Sequence, residues 1–324
     1  VLHSGSRQTP ETRQRKLERD FRILKLDLAE RPDHPFILFN LGMTYEDAGD
    51  YVTAETYLRR SIEVASPGES HLRKAWALLV NCHSRTGNAD SAVDLATSAL
   101  GLFPGDKELL FRRAILLQHA GRFTEAADEY RRILDEDADR VFVSLDPAIT
   151  GFKLHYNLAC VLGQLGEPDQ AIRHWALAIQ DCPQFSPAWL SLGRIFAELN
   201  RAEELTDLLS RIPLENTLAA TRAVISAFLA SLQNDMLAVQ GILSAAWKET
   251  RDSECLDELC RLLTEKELHS NALPYLRELE SVRPNEPAVL RNLGLTLQIC
   301  GHPEESQHVL ARCHQMRADF NQTL

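Results

Sequence analysis

The chain has 324 residues, with 35 Lys and Arg against 46 Asp and Glu, a formal charge of −11. Hydrophobic residues make up 44 % and charged residues 25 %, ordinary values for a folded chain, so collagen-like and wholly disordered classes are excluded. The acidic balance argues against general nucleic-acid or anionic-membrane binding, and no apolar run reaches the roughly 18–20 residues that span a bilayer. Only 15 Gly among abundant Ala and Leu gives a helical lean. Division by about 150 residues per domain gives a first expectation of two domains. The chain starts without Met or a signal segment and reads as a piece of something longer. Seven Cys without a Cys-x-x-Cys read as reduced thiols of a cytoplasmic protein.

Taken in chain order, the first element is a helix from Gln14 to Glu30, with Leu17, Phe21, Leu24 and Leu28 at helical spacing and Pro32 as its stop. It carries Arg13, Arg15, Lys16, Arg19, Arg22 and Lys25. The reading is a basic helix that caps the unit starting at Pro35, with a solvated face or an upstream docking partner as its two alternatives.

From Pro35 one pattern recurs. Leu41-Gly42-x-x-Tyr45 is followed by Gly49, Ala54 and Leu58; Trp189-x-x-Leu192-Gly193-x-x-Phe196 and Leu293-Gly294 with Gly301 and Leu310 repeat it. In phase, units start at Pro35, Arg73, Lys107, Phe152, Ser186, Ala219, Ser253 and Pro287, spaced 38, 34, 45, 34, 33, 34 and 34. The pattern resembles the tetratricopeptide repeat. The expectation is an all-α, right-handed α-solenoid of about eight stacked helix-turn-helix repeats over 35–319, after a segment 1–34 and before a tail 320–324.

Each unit needs a small residue where its first helix is approached, hence Gly42, Ala114, Ala159, Gly193, Cys260 and Gly294. A bulky residue on the second helix fills the gap: Leu58, Tyr130, Trp175, Leu209, Leu276 and Leu310. Gly49, Gly87, Gly121, Gly166 or Gly301 ends the first helix, and Pro104, Pro183 or Pro284 stops the second. The Ala219 and Ser253 units lack the turn glycine. The 45-residue spacing marks an insertion near 139–151, with an acidic part at 135–139 and an apolar part at 141–150 expected to pack.

No nucleotide-binding glycine loop, His-Glu-x-x-His or Gly-x-Ser-x-Gly is present, so no cofactor is expected. The densest metal-ligand set, His302, His308, Cys313 and His314, falls on several helix faces, and no metal site is assigned. Glu203/Glu204 and Asp257/Glu258 fall on expected exposed faces, so no catalytic residue is assigned.

Binding remains. Ligands of the resembled family are usually extended peptides in a concave groove lined by first helices. Those columns give Phe36, Phe39, Asn40, Met43, Lys74, Asn81, Arg112, Lys153, Tyr156 and Asn157 as candidates. Arg194, Glu198, Glu254, Asp257, Glu258, Arg261, Glu265 and Arg291 give a mixed-to-acidic second half. The family's clamp for a C-terminal carboxylate is not supported, because Asn81, Arg112, Lys153 and Asn157 fill its columns in another order. An asparagine ladder at Asn40, Asn157 and Asn292 is interrupted by Arg112, Ser191 and Glu258. Open solenoid ends also admit a homo-oligomer.

A narrower resemblance rests on His3-Ser-Gly5, Arg13-Gln-Arg-Lys16-Leu-Glu-Arg19-Asp20, Phe36-x-x-Phe39-Asn40-Leu41-Gly42, Glu108-Leu-Leu-Phe-Arg112 and Phe152-Lys153 with Asn157-Leu-Ala159. These look like the junction and tail of bacterial family 2 glycosyltransferases, with Ser6 and Asp20 standing where that family usually has Tyr and Asn. The resemblance implies a catalytic domain upstream of residue 1, with His3 near its end. It casts this chain as an acceptor-recognition or oligomerisation tail, without catalytic residues of its own.

Overall fold

The computed structural model describes the backbone of residues 10–86, 89–135 and 147–322, and the side chains of 11–86, 90–135 and 147–316. Among the described residues there are seventeen α-helices and no strand. The chain divides into two compact units, residues 1–150 and 151–324. The readings of 1–9, of Gly87 and of the insertion over 136–146 lie outside the described residues.

Unit 1 opens with α1 (Pro10–Glu30) and continues as three helix pairs: α2 (Pro35–Asp47) with α3 (Tyr51–Val64), α4 (Leu72–Arg85) with α5 (Ala89–Leu102), and α6 (Lys107–His119) with α7 (Phe123–Asp135). A short 3-10 turn, Pro147–Ile149, returns to α6. Unit 2 holds five pairs: α8 (Phe152–Gln164) with α9 (Pro168–Asp181), α10 (Ser186–Glu198) with α11 (Ala202–Arg211), α12 (Ala219–Leu232) with α13 (Met236–Thr250), α14 (Glu254–Glu265) with α15 (His269–Val282), and α16 (Pro287–Ile299) with α17 (Pro303–Gln322). First helices start on or within one residue of the eight positions read from the repeat phase.

The small columns explain the pairing. A Cβ on Gly42 would stand 2.6 Å from Leu58 Cγ, and one on Gly294 would stand 2.6 Å from Leu310 Cγ, so each pair closes onto a bare backbone. Leu58, Tyr130 and Leu276 are almost fully buried at the expected positions. Gly193 departs from the pattern: it faces Ile225 and Phe228 of α12, the next first helix. The ten-residue α11 buries Leu205 and Leu208, so the filling position falls one residue before the expected Leu209. Within each unit first helices also touch one another, α2 against α4 and α4 against α6, then α10 against α12 and α12 against α14. They line the inner side of each stack.

Turns keep one geometry with different residues. Gly49, Gly121, Gly166 and Gly301 have φ between +74° and +83°. Where glycine is missing, Asn200 (φ 56°), Asn234 (φ 56°) and Glu267 (φ 60°) take the same left-handed conformation. Asn tolerates it well; at Glu267 the Cβ crowds the following backbone.

The leading helix is attached on one side. Phe21 packs on Tyr45 with ring centroids 4.6 Å apart, and Arg13 meets Asp47 at 3.0 Å. No described side chain of α1 is buried, and Ile23 and Leu26 are exposed. Its six basic residues sit among five acidic ones, Glu11, Glu18, Asp20, Asp27 and Glu30, so the helix is close to electrically balanced.

Candidate functional site

In unit 1 the inner surface is built on α2, α4 and α6. Phe36, Asn40 and Met43 form one stripe of α2, because residues three, four and seven apart share a helix face. Phe36 is 49 % exposed and Met43 39 % exposed. Phe39 is not part of that open surface. It lies in the core with Ala54, Leu58, Ala75, Leu78, Leu79 and Cys82, so its contribution is to packing. Phe36 and Phe39 both contact the buried His71 ring, at centroid distances of 5.8 and 5.3 Å.

The polar candidates are tied to their neighbours. Asn81 Nδ2 donates to Glu46 Oε1 at 2.6 Å. Lys74 Nζ meets Glu108 Oε1 at 2.7 Å, and Arg112 meets the same oxygen at 2.8 Å. Glu108 is 2 % exposed. Burial alone would raise its carboxyl, but Arg112 and Lys74 outweigh burial and hold it below the ordinary carboxylate range. Beside it, Asp106 caps α6 by accepting from Leu109 N–H (2.8 Å) and pairs with Arg73 at 2.6 Å. Lys74 and Arg112 are therefore two cations sharing one buried anion.

Lys153, Tyr156 and Asn157 lie on α8 in unit 2. Tyr156 packs edge-on against Phe185, centroids 5.0 Å apart, and burial pushes its phenol up to about 12. Asn157 Nδ2 donates to the Lys153 carbonyl at 2.7 Å, while Lys153 Nζ lies 6.0 Å from the Phe152 ring centre.

Further along unit 2, α10, α14, α15 and α16 enclose a cavity of about 590 Å³. Glu258 lies at its floor, 2 % exposed, bridging Arg194 and Arg261; the latter pair is 2.6 Å apart. This corrects the expectation of an exposed Asp257/Glu258 face: Glu258 turns inward because two guanidiniums meet it there. Burial raises the carboxyls of Glu254 and Asp257, and for Glu254 the neighbouring Glu258 and Asp257 charges add to it. Sequence reasoning missed Leu295 and Ile299, which line this cavity at 48 % and 61 % exposure, because apolar residues on a periodic helix read as core.

Two histidines join serines to carboxylates without activating them in an open site. Ser61 Oγ donates to the Pro35 carbonyl at 2.8 Å, so it accepts from His71 Nε2 rather than giving it a proton. His83 joins Ser91 on α5 to Glu55 on α3. All seven cysteines are free thiols; burial pushes Cys82 and Cys260 up to about 12 and Cys255 up to about 11. Among the described residues no group of three or more His, Cys, Asp or Glu is placed to hold a metal ion, and no helix is long and apolar enough to cross a membrane.

Two models of the tetratricopeptide repeat match the chain, one over residues 34–104 and one over 74–141 and 156–204. The matched segments carry tetratricopeptide repeats. The all-α repeat fold is shared with a tetratricopeptide repeat protein from Parabacteroides merdae (TM-score 0.60, 18 % identity, 81 % of this chain and 98 % of that one). It is shared also with the APC/C hetero-tetramer Cut9–Hcn1 (0.53, 16 %, 87 % and 46 %) and with PilW, a type IV pilus biogenesis factor (0.52, 18 %, 71 % and 98 %). Among characterised relatives, rat (Rattus norvegicus) sperm-associated antigen 1 is 30 % identical over 92 residues, 28 % of this chain and 10 % of that protein. Human (Homo sapiens) protein O-mannosyl-transferase TMTC1 is 24 % identical over 189 residues, 50 % and 21 % respectively. The chain thus spans about a fifth or less of the curated relatives it matches.

Proposed function

We propose that this chain is a protein- or peptide-binding scaffold, the non-catalytic region of a larger bacterial protein, working in a reducing cytoplasm. One observation carries the reading: Phe36 and Met43 stand half-exposed on α2 beside polar side chains already fixed by Asn81–Glu46 and Lys74–Glu108–Arg112. Apolar anchors beside preordered polar groups suit an extended peptide, since little side-chain entropy is lost on binding. Asn40 adds an amide to the same stripe of α2; Lys153, Tyr156 and Asn157 on α8 are further candidates within unit 2. Peptide-array binding tests it. The double variant Phe36→Ser/Met43→Ser is expected to weaken captured peptides about tenfold, the loss of roughly 1.4 kcal/mol from two apolar contacts. Unchanged binding removes this face.

A second reading is the acceptor-recognition or oligomerisation tail of a family 2 glycosyltransferase. It is favoured by the resemblance at the junction and by Ile23 and Leu26, which leave an apolar edge of α1 uncovered. One relative is itself named a protein O-mannosyl-transferase. Sequencing the full gene decides this: a nucleotide-sugar domain upstream supports it, and any other domain there defeats it. Light scattering over a concentration series reads the oligomerisation role.

A further inference from the structure

We propose that unit 2 holds a second, separate binding site, selective for an extended peptide in which a lysine or arginine neighbours an aliphatic side chain. This rests on the scaffold reading above but on none of the residues of unit 1.

The cavity between α10, α14, α15 and α16 has two unlike ends. One wall is apolar: Leu295 and Ile299, four residues apart on α16, together with Leu276. Both α16 side chains stand exposed on the cavity wall, and a ligand side chain laid on them removes that surface from water.

The floor is electrically closed. Glu258 is committed to Arg194 and Arg261, and Arg261 is held again by Glu265 at 2.5 Å. Two guanidiniums face two carboxylates here, so the floor is neutral rather than basic.

The other end carries unbalanced negative charge. Asp257 and Glu286 share one guanidinium, Arg283, each at 3.4 Å. Glu254, one turn before Glu258, makes no side-chain hydrogen bond or ion pair among the described residues, and Arg194 and Arg283 are the cations near enough to act on it. Burial pushes both Glu254 and Asp257 up, and the nearby cations, Arg283 for both and Arg194 for Glu254, do not offset it. A lysine or arginine supplies the missing charge; an acidic peptide is repelled. Asp257 lines the cavity together with Leu295 and Ile299, and Glu254 lies three residues before it on α14, so the pair of side chains, rather than either alone, is the recognised unit.

Fluorescence anisotropy on the full chain tests this with three labelled twelve-residue peptides in a Gly/Ser frame, carrying Lys-Leu, Glu-Leu or Lys-Ser at the centre. Lys-Leu is expected to bind at least tenfold more tightly than either of the others. The variant Glu254→Gln/Asp257→Asn is expected to abolish the preference for Lys over Glu, and Leu295→Ser/Ile299→Ser the preference for Leu over Ser. Circular dichroism confirms that each variant stays folded. Equal binding of the three peptides overturns the proposal, as does a preference that survives both double variants. If none binds while array-selected peptides still respond to Phe36→Ser/Met43→Ser, this site fails and the scaffold reading stands.

Discussion

Glu108 lies buried between Lys74 and Arg112, and its charge decides what those two cations can offer a ligand. Taken alone, each looks like an open basic contact; together with Glu108 they form a triad with one net positive charge. Removing the anion leaves two partly buried cations side by side. Glu108→Gln is expected to destabilise the fold by about 2–3 kcal/mol, less than a fully buried pair because Lys74 and Arg112 keep some exposure. The pH dependence has a definite sign. Because the folded carboxyl sits below its ordinary value of 4.5, its stabilisation is complete above that value and is lost as pH falls through the lowered one. Urea unfolding of the wild type and variant is expected to converge in acid and to separate at neutral pH. A constant gap down to strong acid would show that the charge is not what stabilises. The triad was hidden in the sequence because Lys74 comes from the repeat before the one that holds Glu108 and Arg112. A signal was nonetheless present: Lys74 and Glu108 are 34 residues apart, Arg73 and Asp106 are 33, and Asn81 and Glu46 are 35. Opposite or complementary side chains one period apart mark bonds between successive pairs.

Among helices, legibility followed packing tightness. Where a first helix is met by the backbone-close leucine of its own partner, as at Gly42 and Gly294, the position and its role could both be read, since only glycine fits. At Gly193 the residue was legible and its partner was not, because α11 is short and α12 fills the space instead. The turns of α10, α12 and α14 were obscure because Asn200, Asn234 and Glu267 perform a glycine's role without its name. The same glycine-to-alanine change therefore has opposite signs in different helices. A Cβ at Gly42 collides with Leu58, so Gly42→Ala is expected to destabilise by about 1–3 kcal/mol through overpacking. Gly241 lies mid-helix in α13 with nothing within 4 Å of an added Cβ, so Gly241→Ala is expected to stabilise by about 0.5–1 kcal/mol. Thermal melts of the two variants read the contrast directly; shifts of the same sign would refute this account of the small column.

For the molecule as a whole, the chain divides into two compact units, the second beginning at Gly151. Repeats contact chiefly their sequence neighbours, so each stack comes apart from its ends, pair by pair. The bridge between Arg194 and Glu258 breaks that rule. It joins residues 64 apart and passes over the whole α12–α13 pair. Under a pulling force applied at the C-terminus, the α16–α17 and α14–α15 pairs can peel in turn only until the load reaches this link. The link then acts as a mechanical latch: when it gives, the slack stored between its two ends is released at once. At about 3.3–3.6 Å per extended residue, that is roughly 210–230 Å of contour length in one step, twice the step of a single repeat. In an optical trap, Arg194→Ala is expected to divide that long step into two short ones.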